Sequence, residues 1–272
     1  MNKRQLGTIV GATGYVGKHL ANALHRTGWD LYLPTRGDPA LFSQDLGVVF
    51  YCAGLTANFR NHPFETVDAH VSHLAEILKR ARFKSLIYLS STRVYQGSER
   101  TTESNALIVC PNVSGDLYNL SKLLGESLCL NSGRDARIAR LSNVYGHEMS
   151  SRNFLGELIA EAKQTGQVRF RSSPSSSKDF VHIDDVVRAL PELATNPELV
   201  GITNLASGIN ISNRELAVAF EKFGVRCSFE PQGEEIVFPI IDTSKIKRVL
   251  KTSSSDLLND LPILYQRNGE CT

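Results

Sequence analysis

Tyr118 and Lys122 stand four residues apart in the run Tyr118-Asn119-Leu120-Ser121-Lys122. On a helix that spacing presents both side chains on one face. A phenol titrates at about 10 in water and is a poor base at neutral pH. An ammonium about 4 Å away attracts a phenolate by about 4 kcal/mol at an effective dielectric near 20, enough to bring the phenol into general acid–base range. The same pair also occurs on plain solvated helix faces, so other residues must carry the reading.

The elements that would position the pair are readable along the chain. Gly7-Thr8-Ile9-Val10 is a short apolar strand, and Gly11-Ala12-Thr13-Gly14-Tyr15-Val16-Gly17 follows at once. Val16, Leu20 and Leu24 then recur at helical spacing up to Gly28. Glycines at 11, 14 and 17 between a strand and a helix allow a tight turn and close backbone approach to a pyrophosphate, which the helix N-terminus attracts. Gly11, Thr13, Gly14, Tyr15, Val16 and Gly17 are therefore expected at a dinucleotide, with Cys52, Ala53 and Gly54 at the end of the third strand and Tyr118 and Lys122 opposite. An acidic residue after the second strand would hold the ribose of NAD. Thr35 and Arg36 occupy that place; Asp30 precedes the strand and Asp38 follows the turn. Arg36 can pair with the 2′-phosphate of NADP, so NADP is expected, with NAD as the alternative.

Further strands are expected at Leu31–Leu33, Leu46–Cys52, Leu86–Leu89 and Arg137–Leu141. Helices are expected at 63–80, around Tyr118 to about Leu130, and at 154–162 and 184–193. On the Tyr118 helix, Leu117, Leu120, Leu124 and Leu128 read as the apolar stripe. Ser172–Ser177 reads as a loop, Asp179–Ile183 as a strand, and Ser212 as the N-cap of a helix ending near Gly224. Strands alternating with helices over short links indicate an α/β fold with a parallel sheet.

The chain has 272 residues, 42% hydrophobic and 21% charged, with a net charge of +2. That balance gives no reason to expect nucleic acid or an anionic membrane as partner. Cys52, Cys110, Cys129, Cys227 and Cys271 show no metal or Cys-x-x-Cys spacing, and with no signal peptide or membrane span in view a cytoplasmic protein is expected. His70, His73 and Glu76 lie along one ordinary amphipathic helix, and no metal is expected there.

With these residues assembled, the chain resembles the extended short-chain dehydrogenase/reductase family, in its NAD-dependent epimerase/dehydratase branch that acts on nucleotide sugars. The resemblance runs from Gly7 to about Leu250. It rests on the glycine turn, Ser90-Ser91-Thr92-Arg93-Val94-Tyr95, Tyr118 to Lys122 with Gly125-Glu126, and Arg140 to Gly146. It continues through Lys178 to Asp185, Asn204 to Gly208 and Asp242 to Lys245. It implies a Rossmann-like, doubly wound parallel sheet with a smaller discontinuous C-terminal domain. Residues 1–145 and 179–203 would bind the dinucleotide, and 146–178 with 204–272 the substrate. It further implies Ser91, Tyr118 and Lys122 as the catalytic set, and Thr92, Arg93, Asn143 and Lys178 against the nucleotide sugar. It allows a homodimer. His70 stands where relatives have Asn, and His147 where they often have Pro. The segment after Arg36 is short enough that a strand–helix unit over the adenine would be missing.

The resemblance also narrows the reaction. Dehydratase relatives carry Asp-Glu where this chain has Thr92-Arg93, and dual epimerase/reductases carry Cys at the position of Arg93. NADPH reduction of a 4-keto, usually 6-deoxy, nucleotide sugar is expected, with 4-epimerisation by a retained NAD as the alternative. A non-catalytic NADP-binding sensor is a third reading, weakened because Ser91, Tyr118 and Lys122 are all present.

Overall fold

Every side chain of the short apolar run Val48–Tyr51 is buried. A parallel strand covered on both faces demands that pattern. The computed structural model describes residues 4–56, 59–151, 153–250 and 255–267. The first half comprises β1 (Leu6–Val10), α1 (Tyr15–Arg26), β2 (Asp30–Tyr32), β3 (Val48–Tyr51), α2 (Pro63–Val67), α3 (His73–Arg80), β4 (Ser85–Ser91), α4 (Asp116–Asn131), β5 (Ala136–Leu141) and β6 (Asn143–Tyr145). A π-helical turn, Asp68–Ser72, joins α2 to α3. Then follow α5 (Phe154–Thr165), β7 (Gln167–Phe170), β8 (Ser177–His182), α6 (Ile183–Thr195), β9 (Ile202–Leu205), β10 (Asn210–Ser212), α7 (Asn213–Glu221), β11 (Arg226–Phe229), α8 (Ser244–Val249) and α9 (Leu257–Arg267).

The central sheet has six parallel strands in the order β2-β1-β3-β4-β5-β9. On one face Leu20 and Leu24 of α1 and Val186, Leu190 and Leu193 of α6 pack over Ile9, Phe50 and Ile87. On the other, Leu74, Ile77 and Leu78 of α3 cover Val49, Tyr51, Leu86 and Tyr88. The sheet is thus doubly wound, and its order reverses at β1. Ligands of such sheets bind in the crevice beyond the carboxyl ends of the strands flanking that reversal. The glycine turn and Cys52-Ala53-Gly54 follow β1 and β3 there, and Ser91 is the last residue of the neighbouring β4.

A second apolar cluster gathers Leu155, Ile159, Phe170, Phe180, Phe220 and Leu261 from α5, β7, β8, α7 and α9. Two small sheets, β10-β8-β6 and β11-β7, border it. Where the short segment follows Arg36, a single 3-10 turn, Pro39–Phe42, connects β2 to β3, leaving β2 at the sheet edge.

Several elements differ from the sequence expectation. β2 begins at Asp30 and ends at Tyr32, one residue earlier than expected at each end. The tail after Asp256 contains α9, and β7 and β11 form a parallel pair that no alternation announced. The stripe on α4 is inverted. Leu124 is 50% exposed and Leu117, Leu120 and Leu128 are half-buried, while Tyr118, Asn119, Ser121, Lys122, Gly125, Glu126 and Cys129 face inward.

Candidate active site

The glycine turn has the shape its sequence requires. Gly11 takes a φ of +87°, and a Cβ there would lie 2.7 Å from the Ala53 nitrogen. A Cβ on Gly17 would meet the Gly11 carbonyl oxygen at 2.3 Å. The start of α1 is therefore pressed against the ends of β1 and β3, a closeness only glycine permits. Gly14 caps α1 without any side-chain oxygen, so the first-turn N–H groups stay open to an anion. These residues fit a dinucleotide diphosphate. Tyr15, the first residue of α1, donates its hydroxyl to the His147 carbonyl at 3.2 Å.

Ser91, Tyr118 and Lys122 meet at the carboxyl end of β4. Ser91 caps the 3-10 turn Thr92–Tyr95, accepting the Arg93 backbone N–H at 3.2 Å. Lys122 donates to the Leu89 carbonyl at 2.8 Å, and its ammonium lies 5.9 Å from the centre of the Tyr118 ring. Tyr118 packs against Phe59, ring centres 5.2 Å apart, and edge-on to His70 at 5.3 Å. Burial raises the Tyr118 phenol above its ordinary value; a hydrogen bond with Ser91 and the charge of Arg93 pull it back. Burial also draws the Lys122 ammonium down to about 7, with Glu126 and Cys52 acting against it. This corrects the expectation that Lys122 alone would make the phenol acidic: desolvation outweighs that attraction, and the permanent cation beside the ring is Arg93, also 5.9 Å from its centre.

His70 holds this arrangement together. It is fully buried, and its Nε2 accepts the Leu55 backbone N–H at 3.2 Å, so its proton belongs on Nδ1. That Nδ1 lies 2.8 Å from Ser121 Oγ, which donates to the Tyr118 carbonyl at 2.9 Å. Burial and the Lys122 charge lower the imidazole to about 2, so it stays neutral. The loop after β3 is thereby tied to the catalytic helix. Nothing in the sequence beyond the departure at position 70 signals this tie, because the partners lie 15 and 51 residues away.

The remaining motif residues divide between site and scaffold. Glu126 and Arg140 form a buried bidentate pair at 2.6 and 2.9 Å, extended to Ser90, Tyr95 and Asn204. Asp179 accepts the backbone N–H groups of Ser207, Gly208 and Ile209. Asn143 is exposed and donates to the Asp179 carbonyl at 2.8 Å. Thr92 is buried as the first residue of the 3-10 turn. Lys178 stands 3.7 Å from the centre of the Phe154 ring, drawn to about 8 by burial. Thr35 and Arg36, after β2, are exposed, and Arg36 pairs with Asp68 at 3.2 Å. Asp38 is engaged with Ala40 and Tyr32. His147 packs on His19, ring centres 4.7 Å apart, beside α1.

The family model for the NAD dependent epimerase/dehydratase family matches residues 8–206. GDP-L-fucose synthase 1 of Arabidopsis thaliana is 25% identical over 297 aligned positions, covering 94% of this chain and 91% of that protein. The dTDP-glucose 4,6-dehydratase of Streptomyces griseus is 25% identical over 147 residues, 53% of this chain; the match spans less than half, 44%, of that relative's length. Among solved structures, MoeE5 in complex with UDP-glucose and NAD superposes with a TM-score of 0.81 at 21% identity, covering 96% of this chain and 97% of that one.

Proposed function

The chain belongs to the NAD dependent epimerase/dehydratase family, and from that premise we propose that it uses NADPH to reduce a 4-keto nucleotide sugar, commonly a 6-deoxy one, for glycan precursor synthesis. The observation that carries the reading is the convergence of Ser91, Tyr118 and Lys122 at the strand ends that also bear the glycine turn. The nicotinamide, when bound, supplies hydride to the carbonyl carbon. Ser91 and Tyr118 both address the carbonyl oxygen, and Tyr118 delivers its proton there. The charges of Lys122 and Arg93 favour the phenolate left behind. Gly11 to Gly17, with Cys52, Ala53 and Gly54, would hold the dinucleotide, and Thr92, Arg93, Asn143 and Lys178 the nucleotide sugar. Arg36 supports NADP because it is the cation that follows β2, while Asp38 is held by Ala40 and Tyr32 and Asp30 lies at the start of the strand.

A specific observation favours the alternative, a 4-epimerase that retains NAD. Arg36 is exposed and already paired with Asp68, so it must leave that partner to meet a 2′-phosphate. Absorbance of NADPH mixed with a 4-keto nucleotide sugar separates the readings. Stoichiometric oxidation supports the reductase. A changed sugar without net oxidation replaces it with the epimerase, and tight dinucleotide binding without turnover replaces both with a sensor.

A further inference from the structure

Two guanidinium groups and an ammonium converge on this site, and the acid whose charge acts on Arg93, Asp116, makes no ion pair with them and is engaged by Cys110 and Asn119. Arg93 lies 5.4 Å from the centre of the Phe59 ring, and Arg60 lies 4.7 Å from the same centre. Both reach the bare face of Gly115: a Cβ there would stand 3.1 Å from Arg93 Nη2 and 3.4 Å from Arg60 Nη2. Lys178 rests on Phe154 and feels the Arg93 charge. Among the described residues none of the three is ion-paired. The Arg93 Nε is buried without a hydrogen-bond partner. Like charges held together, one with a desolvated orphan donor, cost stability unless an anion completes them.

We propose that the sugar half of the substrate carries a carboxylate, and that Arg93 receives it. The proposal rests on the nucleotide-sugar reading above and narrows its substrate to a 4-keto sugar oxidised to a carboxylate at C6, in place of the 6-deoxy sugar. A diphosphate alone does not account for the placement. The hexose ring separates the reacting C4 from the diphosphate, and Arg93 packs on the ring of Tyr118, the residue that must reach the C4 oxygen. Lys178 is the group expected at the diphosphate. A planar guanidinium with free N–H groups matches a carboxylate bidentately, whereas a hydroxyl or methyl substituent leaves its charge unmet. Arg60, at the exposed rim, adds positive potential at the entrance.

The experiment is calorimetric titration of the NADP⁺-loaded protein with glucuronate and glucose esters of the common nucleoside diphosphates, compared base by base. The acid is expected to bind at least about tenfold more tightly than its neutral partner. Arg93→Gln is expected to bring that ratio to about one, and Arg93→Lys to retain part of it. Thermal melting and NADP⁺ affinity of the variants check that they fold. A wild-type ratio near one overturns the proposal. So does an undiminished ratio in Arg93→Gln, since equal losses mean that Arg93 clamps the diphosphate. Binding of neutral and acidic sugars alike leaves the nucleotide-sugar reading standing, whereas failure of every ester to bind removes both.

Discussion

Tyr118 and Lys122 are both disfavoured as ions by burial, and their titrations move in opposite directions. The phenol rises and the ammonium falls to about 7. Reduction uses the protonated phenol and the charged amine together. Below about pH 7 both are in place in the free protein; above it Lys122 loses its proton first. We therefore expect kcat/KM for ketone reduction to decline on the alkaline side of neutrality, and Lys122→Arg, a cation that does not titrate there, to move that limb to higher pH. A profile flat from pH 6 to 9 (about the span over which the free amine would empty) rejects the assignment. Tyr118→Phe is expected to abolish turnover while dinucleotide affinity stays within about tenfold, or about 1.4 kcal/mol. Near-normal turnover in that variant removes Tyr118 from the chemistry. The spacing of this pair was legible in the sequence. The role of Arg93 beside it was not, because it depends on a 3-10 turn bringing residue 93 back over residue 118.

At the level of elements, α4 shows why periodicity misled. Its leucines mark the helix as amphipathic, but the inward face belongs to Ser121, Lys122, Glu126 and their partners, each with hydrogen bonds that make polar burial tolerable. A sequence count of apolar residues cannot see a buried polar network. The π turn is similar. It keeps Thr66, His70, Leu74 and Ile77 facing inward in phase, and so delivers His70 to Ser121 and Leu55. His70→Ala strips both of that partner and opens a cavity beside Lys122. We expect a loss of about 2–4 kcal/mol in stability, measured by urea unfolding, together with weaker dinucleotide binding. His70→Asn should recover part of the binding. Unchanged affinity in a folded His70→Ala protein means that the tie is structural only.

On the scale of the whole molecule, five of the six central strands were readable as short apolar segments between turns and helices, while β9 was visible only through the Asn204 to Gly208 motif that begins inside it. The second core was harder: β7 and β11 pair across more than fifty residues, so no local pattern betrays them. We propose that the two cores correspond to the cofactor and substrate parts expected from the sequence, with β8 belonging to the smaller sheet. The chain would then return to the cofactor part at α6. The leucines turned outward on α4 bear on assembly. Beside them, Ala75, Leu78 and Leu128 line a crevice of about 420 Å³ between α3 and α4. We propose that a second copy covers this face. A charge placed on a half-exposed leucine costs the monomer within about 0.5 kcal/mol, yet it is repelled by its own symmetry mate in a two-fold contact. Leu124→Glu should therefore melt like the wild type but elute as a monomer at concentrations where the wild type elutes as a dimer. Light scattering that finds both proteins in one assembly state removes α4 from any interface.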